Sequence, residues 1–149
     1  MDIQLNEQMS ALFENAPIGI GIATIDGQIL AANEALLAMT GYTEDEFVGR
    51  NVIEVYADPE QRTDLLKNLS SADVVKDFGV KLKRKDGSPI PILLTGHARY
   101  DMQGNIIGYE GLNVDLTQRK LMEKELKEAY DFMNKIVQSS PDSITATDM

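Results

Sequence analysis

"VVKDFGVKLKRKDGSPIPILLTGHARYDMQGNIIGYEGLNV", residues 74–114, decides the fold. Its first segment alternates, with Phe78, Val80 and Leu82 on one side of an extended chain and Asp77, Lys81 and Lys83 on the other. Two more apolar runs follow, "PIPILLTGHARY" and "IIGYEGLNV". The connections "KDGS" and "DMQGN" each carry glycine where hairpin loops use it. Three strands joined by two tight turns make an antiparallel meander.

Upstream, "IGIGIATIDGQILAAN" (18–33) reads as a hairpin of two apolar strands, and Asp26-Gly27 predicts a type I′ turn. Gly19 and Gly21 predict a close approach to the first strand, by a ligand or by a neighbouring helix. Asn33 is an N-cap for the next helix and Gly41 its C′ residue. Thr43 and Glu46 have capping-box spacing and start a second short helix. Pro59 lies in the first turn of a longer helix reaching about Leu69, whose polar character predicts a solvent face. At the start, Ile3, Leu5, Met9, Leu12 and Phe13 have helical spacing, which predicts an amphipathic helix over 1–14. Two strands, several small helices and a three-stranded meander make an α+β domain over 12–118, with its helices on one face of an antiparallel sheet.

From Thr117 the texture changes. Met122, Leu126, Ala129, Met133 and Ile136 follow heptad-seam spacing between charged residues. The pattern predicts a coiled-coil-like helical linker over 117–139, paired with its twin in a homodimer of weak to moderate affinity. The tail hints at repetition. "FENAPIGIGIATI" (13–25) aligns without gaps with "VQSSPDSITATDM" (137–149), matching Pro17 with Pro141 and Ile20 with Ile144. Residues 140–149 are therefore expected to begin a second copy of the domain.

Composition narrows the function classes. A net charge of −10 argues against nucleic acid, which requires clustered Lys and Arg. The absence of cysteine removes disulfides, thiolate metal sites and thiol nucleophiles together. One histidine without cysteine is a poor metal ligand set. No secretory apolar segment and no run near the ~20 apolar residues of a membrane span is present, so a cytoplasmic setting without membrane contact is expected. No P-loop, G-x-S-x-G or histidine beside a nucleophile occurs, and no enzyme activity is expected of this segment. The acidic stretches read as solvated helix faces.

Three stretches in this order, "LFENAPIGIGIATIDGQILAANEALLAMTGYTEDEFVGRN", "KRKDGSPIPI" and "GYEGLNVDLTQRK", resemble a PAS sensory domain from about Leu12 to Lys120. The resemblance implies a five-stranded antiparallel sheet in the order 2-1-5-4-3, with small helices walling a cavity. It also implies a function: a sensory module of a bacterial multidomain protein, a histidine kinase or diguanylate cyclase, with a further PAS unit and an output domain downstream. The cavity would sense a small ligand and the exit helix would transmit the signal. The rival expectation is a ligand-free PAS unit that serves dimerisation and spacing. Asp115 and Thr117 match the family's "DLT" motif, which implies the joint between sensor and output.

Strand parity gives Phe78, Val80, Leu82, Ile92 and Leu94 to the expected cavity face, with Tyr56, Tyr109 and Asn113 beside them. Tyr56 and Asn113 would be the polar handles. Dense core filling is the competing expectation, and Gly19, Gly21, Gly79, Gly96 and Gly111 argue against it by removing side-chain volume. "TGYTEDEFVGRN" is similar to the flavin-binding LOV branch, whose pattern continues Cys, Arg, Phe, Leu, Gln. Here Val52, Ile53, Glu54, Val55 and Tyr56 stand there, and the polar flavin-reading strand positions fall on Leu82 and Ile92. Only Asn113 keeps an amide, at the place of the LOV glutamine. Haem relatives take their axial histidine from the long helix, and residues 59–71 contain none. His97 has outer-face parity with Thr95 and Arg99. A colourless protein is expected, with no flavin, haem or metal, and with a small apolar ligand or none.

Overall fold

A computed structural model of the chain describes residues 2–139, with the side chains of 7, 8 and 10–137. In chain order the elements are α1 (Asp2–Asn15), β1 (Gly19–Thr24), β2 (Ile29–Ala32), α2 (Glu34–Thr40) and α3 (Glu44–Phe47). A 3-10 turn (Val52–Val55), α4 (Pro59–Leu69), β3 (Val74–Lys83), β4 (Pro89–Tyr100), β5 (Ile106–Asp115) and α5 (Thr117–Ser139) follow. The strands pair antiparallel as one sheet in the order β2-β1-β5-β4-β3. That is the order the resemblance implies. The expected second copy at 140–149 lies outside the described residues, as do the side chains of Leu5 and Met9.

All three hairpins use one turn, and it is not type I′. In the first, Gly27 N donates to Thr24 O (3.0 Å) and Thr24 N to Gln28 O (2.9 Å). Arg84–Ser88 and Asp101–Asn105 repeat this pattern of bonds, with Gly87 and Gly104 in place of Gly27. Within the three loops only these glycines take positive φ, from 86° to 94°; Asp26 does not. A type I turn followed by a left-handed glycine is the three-residue hairpin loop. The sheet also carries a bulge in β3, where the register slips between Val75 and Phe78 and Asp77 takes φ 53°. Through it, Val75 joins Phe78, Val80 and Leu82 against the core.

The helical layer is capped as the residue types dictate. Asn33 accepts from Leu36 N, and Gly41, in the left-handed region, returns its N–H to Leu37 O. Thr43 and Glu46 form a complete capping box. Asn51 and Glu54 form another around the 3-10 turn. Gly19 and Gly21 admit α2: a Cβ at Gly19 would lie 3.1 Å from Leu36 Cα, and one at Gly21 would lie 3.0 Å from Leu36 Cδ2.

The chain divides after Leu116 into two units. The first holds the sheet and α1–α4; the second begins with α5. On α5, Met122, Leu126, Met133 and Ile136 are exposed, and so are Leu121, Tyr130, Phe132 and Val137. On α1, Leu12 is 73% exposed.

Candidate functional site

The core forms two clusters rather than one. Tyr56, Leu65, Leu69, Val80, Leu82, Ile90, Ile92 and Leu94 make the larger, between α4 and strands β3 and β4. Ile29, Ala32, Leu36, Phe47 and Val55 make the smaller, under α2 and α3. Between them lies a cavity of about 60 Å³ walled by both, with Leu36, Phe47 and Val55 on one side and Leu65, Leu82 and Leu94 on the other. Three glycines in cross-strand register, Gly21, Gly111 and Gly96, lie along it. A Cβ on Gly111 would meet only Asn113 Nδ2, at 3.6 Å. Gly21 and Gly96 are covered by Leu36 and by Leu65 and Leu69, so the open wall is at Gly111.

Of the residues expected to line a cavity, Tyr56, Leu82, Leu94, Tyr109 and Asn113 are on its wall. Phe78, Val80 and Ile92 are not: Val80 and Ile92 are buried within the larger cluster and Phe78 packs against it. Cavity-face parity was satisfied there by packing, because these residues lie toward the β3 side of the sheet beneath other side chains. Gly79 adds nothing to the cavity either: it is out of phase with Val80 on β3 and faces open space, with nothing within 4 Å of the Cβ it lacks. Asn113 is buried, and its Nδ2 donates to Gly19 O (3.0 Å) and Gly111 O (3.4 Å), which ties β5 to β1. The Tyr56 backbone is anchored by its bridge to Leu82.

Arg62 escaped sequence reasoning. It sits in the first turns of α4, a helix whose composition reads as solvated. However, Arg62, Leu65 and Leu69 at i, i+3 and i+7 share one face, and that face is buried. Arg62 is 8% exposed. Its guanidinium carbon stands 5.5 Å from the centre of the Tyr109 ring, within cation–π range. Its Nη2 is buried without a hydrogen-bond partner among the described residues. Burial pushes the Tyr56 hydroxyl above the ordinary phenol value, and the neighbouring Arg62 opposes that shift without cancelling it. Tyr56 therefore keeps its proton near neutral pH, and its oxygen faces a guanidinium that can only donate. The only sequence signal for Arg62 was its helical spacing from two leucines.

The cavity residues do not fit a LOV-type flavin. Val52 is on the wall but offers no sulfur, Ile53 is exposed and apolar, and Leu82 presents only hydrocarbon. Ile92 is buried away from the wall. His97 pairs across the sheet with Val74 and Glu110, one position out of phase with the buried Gly96, so it faces away from the cavity. No group of three or more His, Cys, Asp or Glu among the described residues is placed to hold a metal ion. No helix among them is long and apolar enough to cross a membrane.

Comparison with known proteins supplies the family. The model of the PAS fold matches residues 7–112. The chain is 26% identical over 129 residues to the phosphoserine phosphatase RsbP of Bacillus subtilis, covering 85% of this chain and 30% of that protein. It is 26% identical over 114 residues to the C4-dicarboxylate transport sensor protein DctS of Rhodobacter capsulatus, covering 74% of this chain and 17% of that one. This chain thus spans less than a third of either relative. Among solved structures, an RNA-binding light-oxygen-voltage receptor superposes with a TM-score of 0.71 at 22% identity, covering 91% of this chain and 39% of the receptor's. At that identity the likeness shows the fold alone. The match over most of the domain, the strand order and the helix-walled cavity agree: the chain belongs to the PAS family of sensory domains.

Proposed function

We propose that this PAS domain is the sensor of a longer signalling protein, binding a small ligand in the cavity between its two core clusters. PAS domains commonly dimerise and sit in multidomain sensors. Occupancy would shift β5 and, through the Asp115–Thr117 joint, bias α5 and the catalytic neighbour beyond it, in the manner of a histidine kinase or diguanylate cyclase. The segment itself would be non-catalytic and cytoplasmic. A ligand shifts such an equilibrium only by its difference in affinity between the two states, so it must touch something that moves. The observation that carries this reading is the cavity beside the Gly21–Gly111–Gly96 row: Leu36 packs onto Gly21, Leu65 and Leu69 pack onto Gly96, and the space at Gly111 stays open. Neither flavin nor haem is the proposed ligand, because Val52, Ile53 and His97 do not supply the groups those cofactors use.

A second reading is favoured by the cavity's size. About 60 Å³ is well below the roughly 300 Å³ at which small-molecule sites usually begin. On that reading the domain is a ligand-free spacer and dimerisation element. Native mass spectrometry of freshly purified protein, compared with the denatured chain, separates the two. A small mass lost on denaturation supports sensing; an unadorned mass across independent preparations supports the spacer.

A further inference from the structure

We propose that the cavity takes a small monocarboxylate, with its carboxylate seated on Arg62 and its carbon chain against the apolar wall. This rests on the ligand-binding reading above and names the chemical class of the ligand.

The argument begins with an uncompensated charge. Removing a cation from water is expensive unless it is paired. A guanidinium keeps its charge in a protein interior and cannot escape the cost by releasing a proton. Arg62 is more than nine-tenths buried, yet the ion pairs among the described residues join Arg50 to Glu54, Lys85 to Glu46 and Arg119 to Glu123. Tyr109 offers a ring face and Tyr56 a phenol; neither carries a negative charge. Glu110 reaches the cavity edge, but its register opposite Ile22 and His97 puts it out of phase with Tyr109 and Gly111, on the far face of the sheet. The counter-ion is therefore to be supplied from outside the domain. Nη2, the atom without a partner, is one tine of the fork that a carboxylate meets bidentately.

The rest of the wall selects within the anions. Leu36, Leu65, Leu94 and Val55 give the body of the ligand an apolar seat. Arg62 is the one cationic side chain on that wall among the described residues, so a dicarboxylate or phosphate dianion would bury a second negative charge without a partner. The small volume restricts the carbon chain to a short one.

The test is a titration of the ¹⁵N-labelled chain, following the Arg62 side-chain N–H and the amides of Gly96, Gly111 and Asn113. The probes are acetate, propionate, butyrate, propionamide, succinate and inorganic phosphate. At least one monocarboxylate should give saturable shifts at these positions, and propionamide, succinate and phosphate should give at least tenfold weaker responses. Arg62→Met, which keeps the aliphatic stem, should abolish the carboxylate response, and Arg62→Lys should retain part of it. Silence toward all three monocarboxylates overturns the proposal, as does tighter binding of phosphate or succinate. If propionamide binds as well as propionate, or Arg62→Met binds unchanged, the anion seat is wrong while ligand binding in the cavity stands. The wild-type arms decide even if Arg62→Met does not fold.

Discussion

Asn33 does more than cap a helix. Its Oδ1 accepts from Ile20 N (2.8 Å) and Leu36 N (3.1 Å), and its Nδ2 donates to Phe13 O and Ile18 O, both at 2.9 Å. One fully buried amide thus joins α1, the entry to β1 and α2. Asn33→Ala removes a cap worth ~1 kcal/mol and strands buried partners, for a total of roughly 3 kcal/mol in urea denaturation. Asn33→Asp preserves the cap but loses both donors and should be comparably unstable. An Asp variant within about 0.5 kcal/mol of wild type would show that only the cap matters. Glu46 carries part of the acid dependence, beside Asp86 and Asp101, whose carboxyls Ser88 and Asn105 also hold below the ordinary value. Its hydrogen bond to Lys85, then the Thr43 N–H, hold its carboxyl at about 2 instead of its ordinary 4.5. A depressed folded-state value means stability that is fully present above 4.5 and lost as pH falls toward 2. Glu46→Gln keeps the capping geometry and should reduce, without removing, the loss of stability in that window. An unaltered acid limb in the variant would place the sensitivity elsewhere.

Element by element, β5 is the strand where sequence and packing are most tightly bound. A Cβ on Gly108 would stand 2.2 Å from Ala23 O, a backbone atom that cannot move without breaking the β1–β5 ladder. Gly108→Ala should cost roughly 3 kcal/mol or more, or prevent folding. Gly111→Ala, three residues along, projects into the cavity; it should leave stability within about 1 kcal/mol of wild type while weakening ligand binding. Thermal denaturation of the two variants checks the contrast, and equal losses would refute it. Caps, turn glycines and strand alternation were legible in the sequence because each is a local signal: Asn33, Gly41, Thr43–Glu46 and Pro59 all sit at the helix ends their chemistry predicts. The hairpin loop was mistaken because Asp-Gly serves both turn types, and the choice depends on strand register. The cavity was only half legible. Parity separates the two faces of a strand, but it cannot say which inward residues lie under neighbours, as Val80 and Ile92 do, and which face a void. Arg62 was missed because a charged residue on a polar helix carries no mark of burial until its leucine neighbours are seen to share its face.

At the scale of the whole molecule, the proposal depends on two units acting together. Met122, Leu126, Ala129, Met133 and Ile136 have the spacing of a heptad seam on α5, and in that register exposed Tyr130, Val137 and Phe132 would flank it. A two-heptad seam alone would be marginal; the broader stripe favours a dimer of modest affinity. Replacing Leu126 and Met133 together with Lys should yield monomers in analytical ultracentrifugation while the sheet domain keeps its circular dichroism. A double variant that dimerises with unchanged affinity would move the interface to another surface, with α1 the next candidate. The central claim is that a small anion on Arg62 is felt in β5 and in the helix that follows it. Hydrogen–deuterium exchange with and without saturating propionate tests it most directly. The expected result is slowed exchange across Ile106–Asp115 and the first turns after Thr117 in the wild type, and no change in Arg62→Met. Exchange that is unaltered in the wild type, or altered equally in both proteins, would contradict it.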